Sequence, residues 1–282
     1  MPNPAVAAID PRLARRRFER AAATYAGASR LEQEIGARML ERLDYMKRVP
    51  RRVLDAGSGP GRDARLLARR YPDAQVLAVD FAPRMLLQNR GLLARLFARN
   101  EKHSLCADFA RLPLAAGSTG MVWSNMALHW AADPLAALRE FHRVLEDDGL
   151  LMFSTLGPDT LAGLRVAAGP ARVHDFADMH DLGDMLVAAG FAEPVMDMER
   201  LTLLYADGAA LLADLRASGQ TCAHAGGARG LSGRGFRARL QAGLAAQMRE
   251  GRLPVGYEVV YGHAWKAAPK RTADGRSVIK FS

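Results

Sequence analysis

Cysteine is scarce in this chain. Cys106 and Cys222 are the two present among 282 residues. They lie far apart and outside any CxxC or Cys/His pattern, which excludes a disulfide scaffold and a structural zinc site and points to a reducing compartment. No apolar run approaches the ~20 residues that a membrane span needs. The N-terminal MPNPAVAAIDPRLARRR sets a weak apolar stretch ahead of its charges, the reverse of a secretory signal. A cytoplasmic protein without membrane contact is expected. Repeats and low-complexity tracts are missing. Lysine is sparse: Lys47, Lys102, Lys266, Lys270 and Lys280 against 39 basic residues in all.

What is present suits a globular enzyme, with 49% hydrophobic and 24% charged residues. The net charge of +9 is unevenly spread. Residues 1–52 hold 12 Lys/Arg against 6 acids, 216–282 hold 12 against 3, and 53–215 hold 15 against 21. Two readings of the basic flanks stand open: solubility, or a positive rim that steers a polyanionic partner.

Ala14, Phe18, Ala21, Ala22 and Tyr25 fall on one helical face with arginines opposite. Leu31, Ile35, Met39, Leu43 and Met46 give a second helix the same stripe. The period then changes. RVLDA (52–56), QVLAVD (75–80), HSLC (103–106), GMVWS (120–124) and GLLMFST (149–155) read as short buried strands separated mostly by helical stretches. That alternation means crossover units and a mainly parallel sheet. A helix with Leu182, Met185, Leu186 and Ala189 stops at Gly190, and two further strands, PVMDMERLTLLY and YEVVYGHAW, close the pattern. The expected fold is a doubly wound, Rossmann-like α/β sheet of seven strands. Its expected parts are helices over the cofactor site (1–51), the core (52–205), a helical cap (206–255), the last core strand (256–266) and a loose tail (267–282). The cap carries the row Phe236, Leu240, Leu244, Met248, since fifty structureless residues between neighbouring strands would be unusual.

The densest signal is VLDAGSGPG at 53–61. Glycines at 57, 59 and 61 let the backbone turn sharply and approach a ligand that a Cβ would push away. A turn from strand into helix also offers free N–H groups. An ordinary tight turn would look similar, so the neighbours decide. Arg62-Asp63-Ala64 follows, without the Lys-Ser/Thr of a phosphate-binding P-loop. The spacing is GxGxG rather than the GxGxxG of a dinucleotide site. Asp55 before the turn would repel a pyrophosphate but suits an ammonium group. Asp80 at the tip of the second strand suits two ribose hydroxyls. Asp108 past the third strand suits an exocyclic adenine amine, with Phe109 or Phe81 beside the ring. Gly57, Ser58, Gly59, Gly61 and Met85 complete the cradle, and Ser124 and Asn125 shape it from the fourth strand. Acids at three successive strand tips converge on the carboxyl edge where such sheets bind ligands. The constellation fits S-adenosylmethionine.

VLDAGSGPG, VLAVDFAPRML, CADFARLPL, SNMALHW and FHRVLEDDGLLMFSTLGPDTL together resemble the class I methyltransferases. FSTLGPDTL, RRRFERAAATY, DMHDLGDMLVAAGF, RGLSGR and YEVVYGHAW narrow the resemblance, over nearly the whole chain, to the malonyl-[acyl-carrier protein] O-methyltransferases of biotin synthesis. One departure is His129, where that family more often has Gln before Trp130. The resemblance implies methyl transfer from S-adenosylmethionine to the free carboxylate of a malonyl thioester, the ester that starts pimeloyl synthesis. A carboxylate is ionised at neutral pH, its reference pKa being about 4. No general base is needed, and the work is to hold the reacting atoms in line and dry. Tyr25, His129 and Trp130 are the candidates beside the reacting groups, each with an alternative as an ordinary packed residue. The basic flanks then read as a rim for an acidic carrier protein, formed by Arg229, Arg234, Arg237 and Arg239 with Arg15, Arg16 and Arg17. Arg139 and Arg143 read as a solvated helix face. HDFADMHD (174–181) reads as turn and cap rather than metal ligands, and no metal is expected. The competing functions are a small-molecule carboxylate methyltransferase and an assembly factor of this fold that modifies protein arginine. A nucleic-acid enzyme is disfavoured by the lack of an NPPY-type motif after the fourth strand.

Overall fold

The computed structural model describes residues 9–88, 103–225 and 233–268. Seven strands form one sheet in the order β3-β2-β1-β4-β5-β7-β6. They are β1 (Arg52–Ala56), β2 (Gln75–Asp80), β3 (His103–Cys106), β4 (Thr119–Ser124), β5 (Leu145–Leu156), β6 (Ala192–Tyr205) and β7 (Leu253–Trp265). The first five pair in parallel, and β7 runs antiparallel between β5 and β6. The chain reverses strand order between β1 and β4, which opens a crevice at the carboxyl ends of the strands.

Each central strand is buried on both faces, as a parallel sheet covered by helices requires. Val53, Met121, Trp123 and Met152 point toward Leu31, Ile35 and Met39 of α3 (Arg30–Arg42) and Leu67 of α4 (Arg62–Arg70). Leu54, Val122, Leu151 and Phe153 point the other way, toward Leu138 and Phe141 of α6 (Pro134–Val144) and Leu182 and Leu186 of α8 (Met179–Ala188). Among the described residues no helix is long and apolar enough to cross a membrane.

The N-terminal stripe is not one helix. α1 (Pro11–Ala21) ends, and Tyr25 opens the separate α2 (Tyr25–Ala28). The Thr24 hydroxyl donates to the Ala21 carbonyl at 3.0 Å and to Ala217 at 2.8 Å, a side chain competing with the helical backbone. Ala217 ends α9 (Gly208–Ala217) of the insertion, and Asp10 N–H donates to Ala223 O at 2.8 Å. The segment ahead of β1 and the segment between β6 and β7 are thus stitched together. That insertion also holds α10 (Arg234–Ala245), shorter than its apolar row, with Met248 beyond it but still packed on the core. β7 starts at Leu253, three residues before the expected boundary, because it pairs with β6 up to Tyr205↔Leu253. The remaining α-helices among the described residues are α5 (Pro83–Gln88) and α7 (Ala162–Ala168).

Candidate functional site

Gly57, Gly59 and Gly61 have φ of +80°, +53° and +70°. The turn is held from β2: the N–H groups of Gly57 and Ser58 donate to Val79 O at 2.8 and 2.9 Å. A Cβ on Gly57 would lie 2.3 Å from the Cβ of Ala127, so side-chain-free backbone is required there. Asp80 is buried and binds this turn itself, its Oδ2 accepting from Gly59 N–H at 2.9 Å and its Oδ1 from Ala82 N–H at 2.8 Å. Burial raises its pKa to about 6 against those two bonds. Each oxygen keeps a second lone pair for another donor.

Beside the turn lies a cavity of about 350 Å³ walled by Tyr25, Glu32, Asp55, Ser58, Asp63 and Asn125. Its acids are the notable feature. Asp55 is buried, and its Oδ2 has no hydrogen-bond partner among the described residues. Burial, then the neighbouring charge of Asp63, push its pKa well up. Asp63 accepts from Asn125 Nδ2 at 2.8 Å, Trp123 Nε1 at 3.2 Å and Arg62 at 2.9 Å. Tyr25 is half-buried, and burial followed by the charges of Glu32, Asp80, Asp63 and Asp55 keeps its hydroxyl protonated. Arg62 and Arg65 also line the cavity, but Arg62 pairs with Asp63 and Arg65 donates to Pro60 O. The excess of acids around an oxygen without a donor fits a ligand that brings an ammonium and a second positive charge. It opposes a pyrophosphate.

Glu32 and Asp63 were not singled out from the sequence. The readable signal was Gly36, inside the α3 stripe, since an isolated helical glycine marks close approach. A Cβ there would lie 2.7 Å from Asn125 Nδ2 and 2.8 Å from Asp63 Oδ2. Burial raises Glu32 to about 7, with Asp214 adding to the shift. Because the folded value lies above the ordinary one, the protonated carboxyl stabilises the fold and the benefit is lost as pH rises through about 7. Glu32→Gln is therefore expected to stabilise the ligand-free protein more at pH 8.5 than at pH 5.5, by on the order of 2 kcal/mol. Thermal melts at the two values check this, and an equal gain at both would reject it.

The other expected residues of the cradle fall into four groups. Gly61 and Ser58 close the turn through a 2.9 Å backbone bond. Met85 is buried with Ala22 and Ala82 and packs with Phe81 and Tyr25, forming an apolar rim. Phe109 is buried against Phe141, 5.7 Å between rings, while Asp108 is exposed and spends one oxygen on Ala110 N–H at 2.9 Å. Ser124 is fully buried and donates to Ala56 O at 3.0 Å, and Asn125 ties Glu32 O, Asp63 and Ser154 together. These last two set the geometry of the strand tips, consistent with a shaping rather than a charge-bearing part.

A second cavity, about 190 Å³ and largely apolar, lies under the insertion. His129 and Trp130 form one end, with Leu164, Val173, Leu215 and Phe236 around it. Trp130 is buried, its ring edge-on to Phe18 and to His174 at 4.8 Å each. His129 Nδ1 lies 3.3 Å from Thr155 Oγ1, and burial, then His174, lower its pKa to about 3. A hydrogen bond joins the walls of the two cavities: Gln220, on the apolar wall, donates to Glu32, on the acidic wall. His174 also belongs to this region, its Nε2 accepting from Ala223 N–H at 2.6 Å. Asp178 caps α8 through the N–H groups of His180 and Asp181, the turn-and-cap role expected. No metal-holding group of His, Cys, Asp and Glu occurs among the described residues. Arg143 is part-exposed, but it does more than face solvent: it pairs with Glu140 and donates to Leu112 O and Leu114 O, holding the β3–β4 connection. Arg234, Arg237 and Arg239 are exposed on α10, while Arg229 lies outside the described residues.

A seven-stranded sheet with its last strand reversed, a glycine turn after β1 and acids at the strand tips define a Rossmann-like class I methyltransferase. The family described as "Methyltransferase domain" matches residues 54–153. A putative methyltransferase from Bacillus halodurans superposes with a TM-score of 0.61 at 16% identity, over 83% of this chain and 99% of that one. The Laribacter hongkongensis malonyl-[acyl-carrier protein] O-methyltransferase is 53% identical, covering 94% of this chain and 93% of its own length. The Gallionella capsiferriformans protein of the same name is 50% identical, covering 97% of each. The chain belongs to the malonyl-[acyl-carrier protein] O-methyltransferase family.

Proposed function

We propose that this protein methylates the free carboxylate of a malonyl thioester held on acyl carrier protein, with S-adenosylmethionine as donor. When bound, the donor supplies a methyl group on a positively charged sulfur. Asp55 would hold its ammonium, Asp80 its ribose, Asp108 its adenine amine, with Phe81 and Phe109 at the ring. The observation that carries the reading is the partnerless Asp55 oxygen in an acidic cavity that meets an apolar cavity at Glu32–Gln220. The first suits a cationic donor and the second an acyl arm. Tyr25, a protonated donor on the acidic wall, would orient the acceptor carboxylate without clamping it as an arginine would. Trp130 and the apolar wall exclude water. The test is labelled S-adenosylmethionine with malonyl-carrier protein, free malonate and an arginine-containing protein. A base-labile methyl ester on the first supports the reading. Label on free malonate alone favours the small-carboxylate reading, and label on arginine favours a protein-modifying one.

His129→Gln is expected to keep kcat/KM within about threefold and leave the pH profile between 6 and 8.5 unchanged. A glutamine amide reproduces the contact to Thr155, and the imidazole stays neutral well above about 3. A larger loss assigns the ring a role that an amide does not share. Arg234, Arg237 and Arg239 would form a docking rim for the acidic carrier. Arg237→Glu with Arg239→Glu should lower kcat/KM for the carrier-bound substrate and flatten its salt dependence. Unchanged values reject the rim.

A further inference from the structure

A third cavity, about 410 Å³, opens beside the apolar one and has the opposite character. Arg16 and Arg17 of α1 face it from one side, and Arg172 and His224 from the other. Asp10 is the single carboxylate among its lining residues, and its Oδ1 is already occupied by the N–H groups of Arg12 and Leu13 as the α1 cap. Arg17 Nη1 is buried without a hydrogen-bond partner among the described residues. A buried guanidinium nitrogen without an acceptor is costly, so this arrangement awaits an anion. Arg172, Thr221 and Cys222 line both this cavity and the apolar one. The Arg172 Cζ lies over the Phe236 ring, 4.0 Å from its centroid, a cation–π contact at the junction. The cationic pocket and the apolar cavity therefore adjoin.

We infer that Arg16, Arg17 and Arg172 form a subsite for the phosphate ester at the outer end of a pantetheine-type acyl arm whose neutral length fills the apolar cavity. The inference rests on the proposed function and adds a specific anion contact to it. Guanidinium suits phosphate oxygens through paired N–H donors. Arg16, Arg17 and Arg172 line this pocket and not the acidic donor cavity, so a phosphate held by them lies outside the donor's own site.

The test compares malonyl-4′-phosphopantetheine with malonyl-pantetheine as acceptors for the wild-type enzyme, both free of protein and nucleotide. The phosphorylated arm is expected to show kcat/KM about tenfold higher, a charge-assisted contact being worth at least that. Arg17→Gln and Arg172→Gln should each shrink that ratio, chiefly through KM, while circular dichroism reports that the variants fold. Equal kcat/KM for the two arms in the wild-type protein overturns the subsite alone. So does methylation of carrier-bound substrate with neither arm accepted. Failure to methylate all three overturns the proposed function and the subsite with it.

Discussion

Gly57→Ala should lower the thermal midpoint by roughly 5–10 °C and weaken S-adenosylhomocysteine binding at least about tenfold. Two costs combine. The residue sits at φ +80°, where a side chain costs about 1–2 kcal/mol. The new Cβ would also overlap Ala127 Cβ at 2.3 Å, and overpacking of that kind costs about 1–3 kcal/mol. The costs separate in a double-mutant cycle, because Ala127→Gly removes the struck atom and should recover the packing share while leaving the backbone share. Gly169→Ala is the comparison, with φ +90° and nothing within 4 Å of its added Cβ. If Gly57→Ala is no more damaging than Gly169→Ala, close approach at the turn is not what position 57 provides.

The second large effect has two opposite signs. Asp55→Asn should stabilise the ligand-free protein and weaken S-adenosylhomocysteine binding by roughly 30- to 1000-fold, as expected when one member of a buried charge pair is neutralised. Burial and Asp63 raise the folded pKa of Asp55. Its contribution therefore favours folding below the ordinary carboxylate range and is lost as pH rises through the raised value. The stabilisation by asparagine should accordingly grow with pH. In the wild-type protein, ligand uptake should drive Asp55 to ionise and release a proton, visible by calorimetry in buffers of different ionisation enthalpy. Asparagine that weakens binding without altering proton release would dismiss Asp55 as the ammonium partner.

The sheet was largely legible because β1, β4 and the second half of β5 are mostly apolar runs buried on both faces, while the edge strand β6 shows itself by alternation. The glycine turn was legible because glycine at alternate positions has few other physical uses. Less visible was what depends on tertiary approach. Glu32 and Asp63 look like ordinary helix-surface acids until Gly36 and the turn bring α3 and α4 together over them. The break between Ala21 and Tyr25 carries no glycine or proline, since its cause is a hydroxyl reaching a carbonyl 193 residues away. Arg143 reads as a surface cation because its partners, Leu112 O and Leu114 O, are backbone atoms of a distant loop.

The reversed β7 has a consequence for how this architecture can change. Since Tyr205 lies opposite Leu253, the insertion leaves the sheet and re-enters it at adjacent points, like a plug in a two-pin socket. Its length and composition can be altered, even exchanged with those of a relative, without rethreading any strand. Strand register is thereby independent of the insertion's length, while Ala217 and Gln220 still tie the insertion to Thr24 and Glu32.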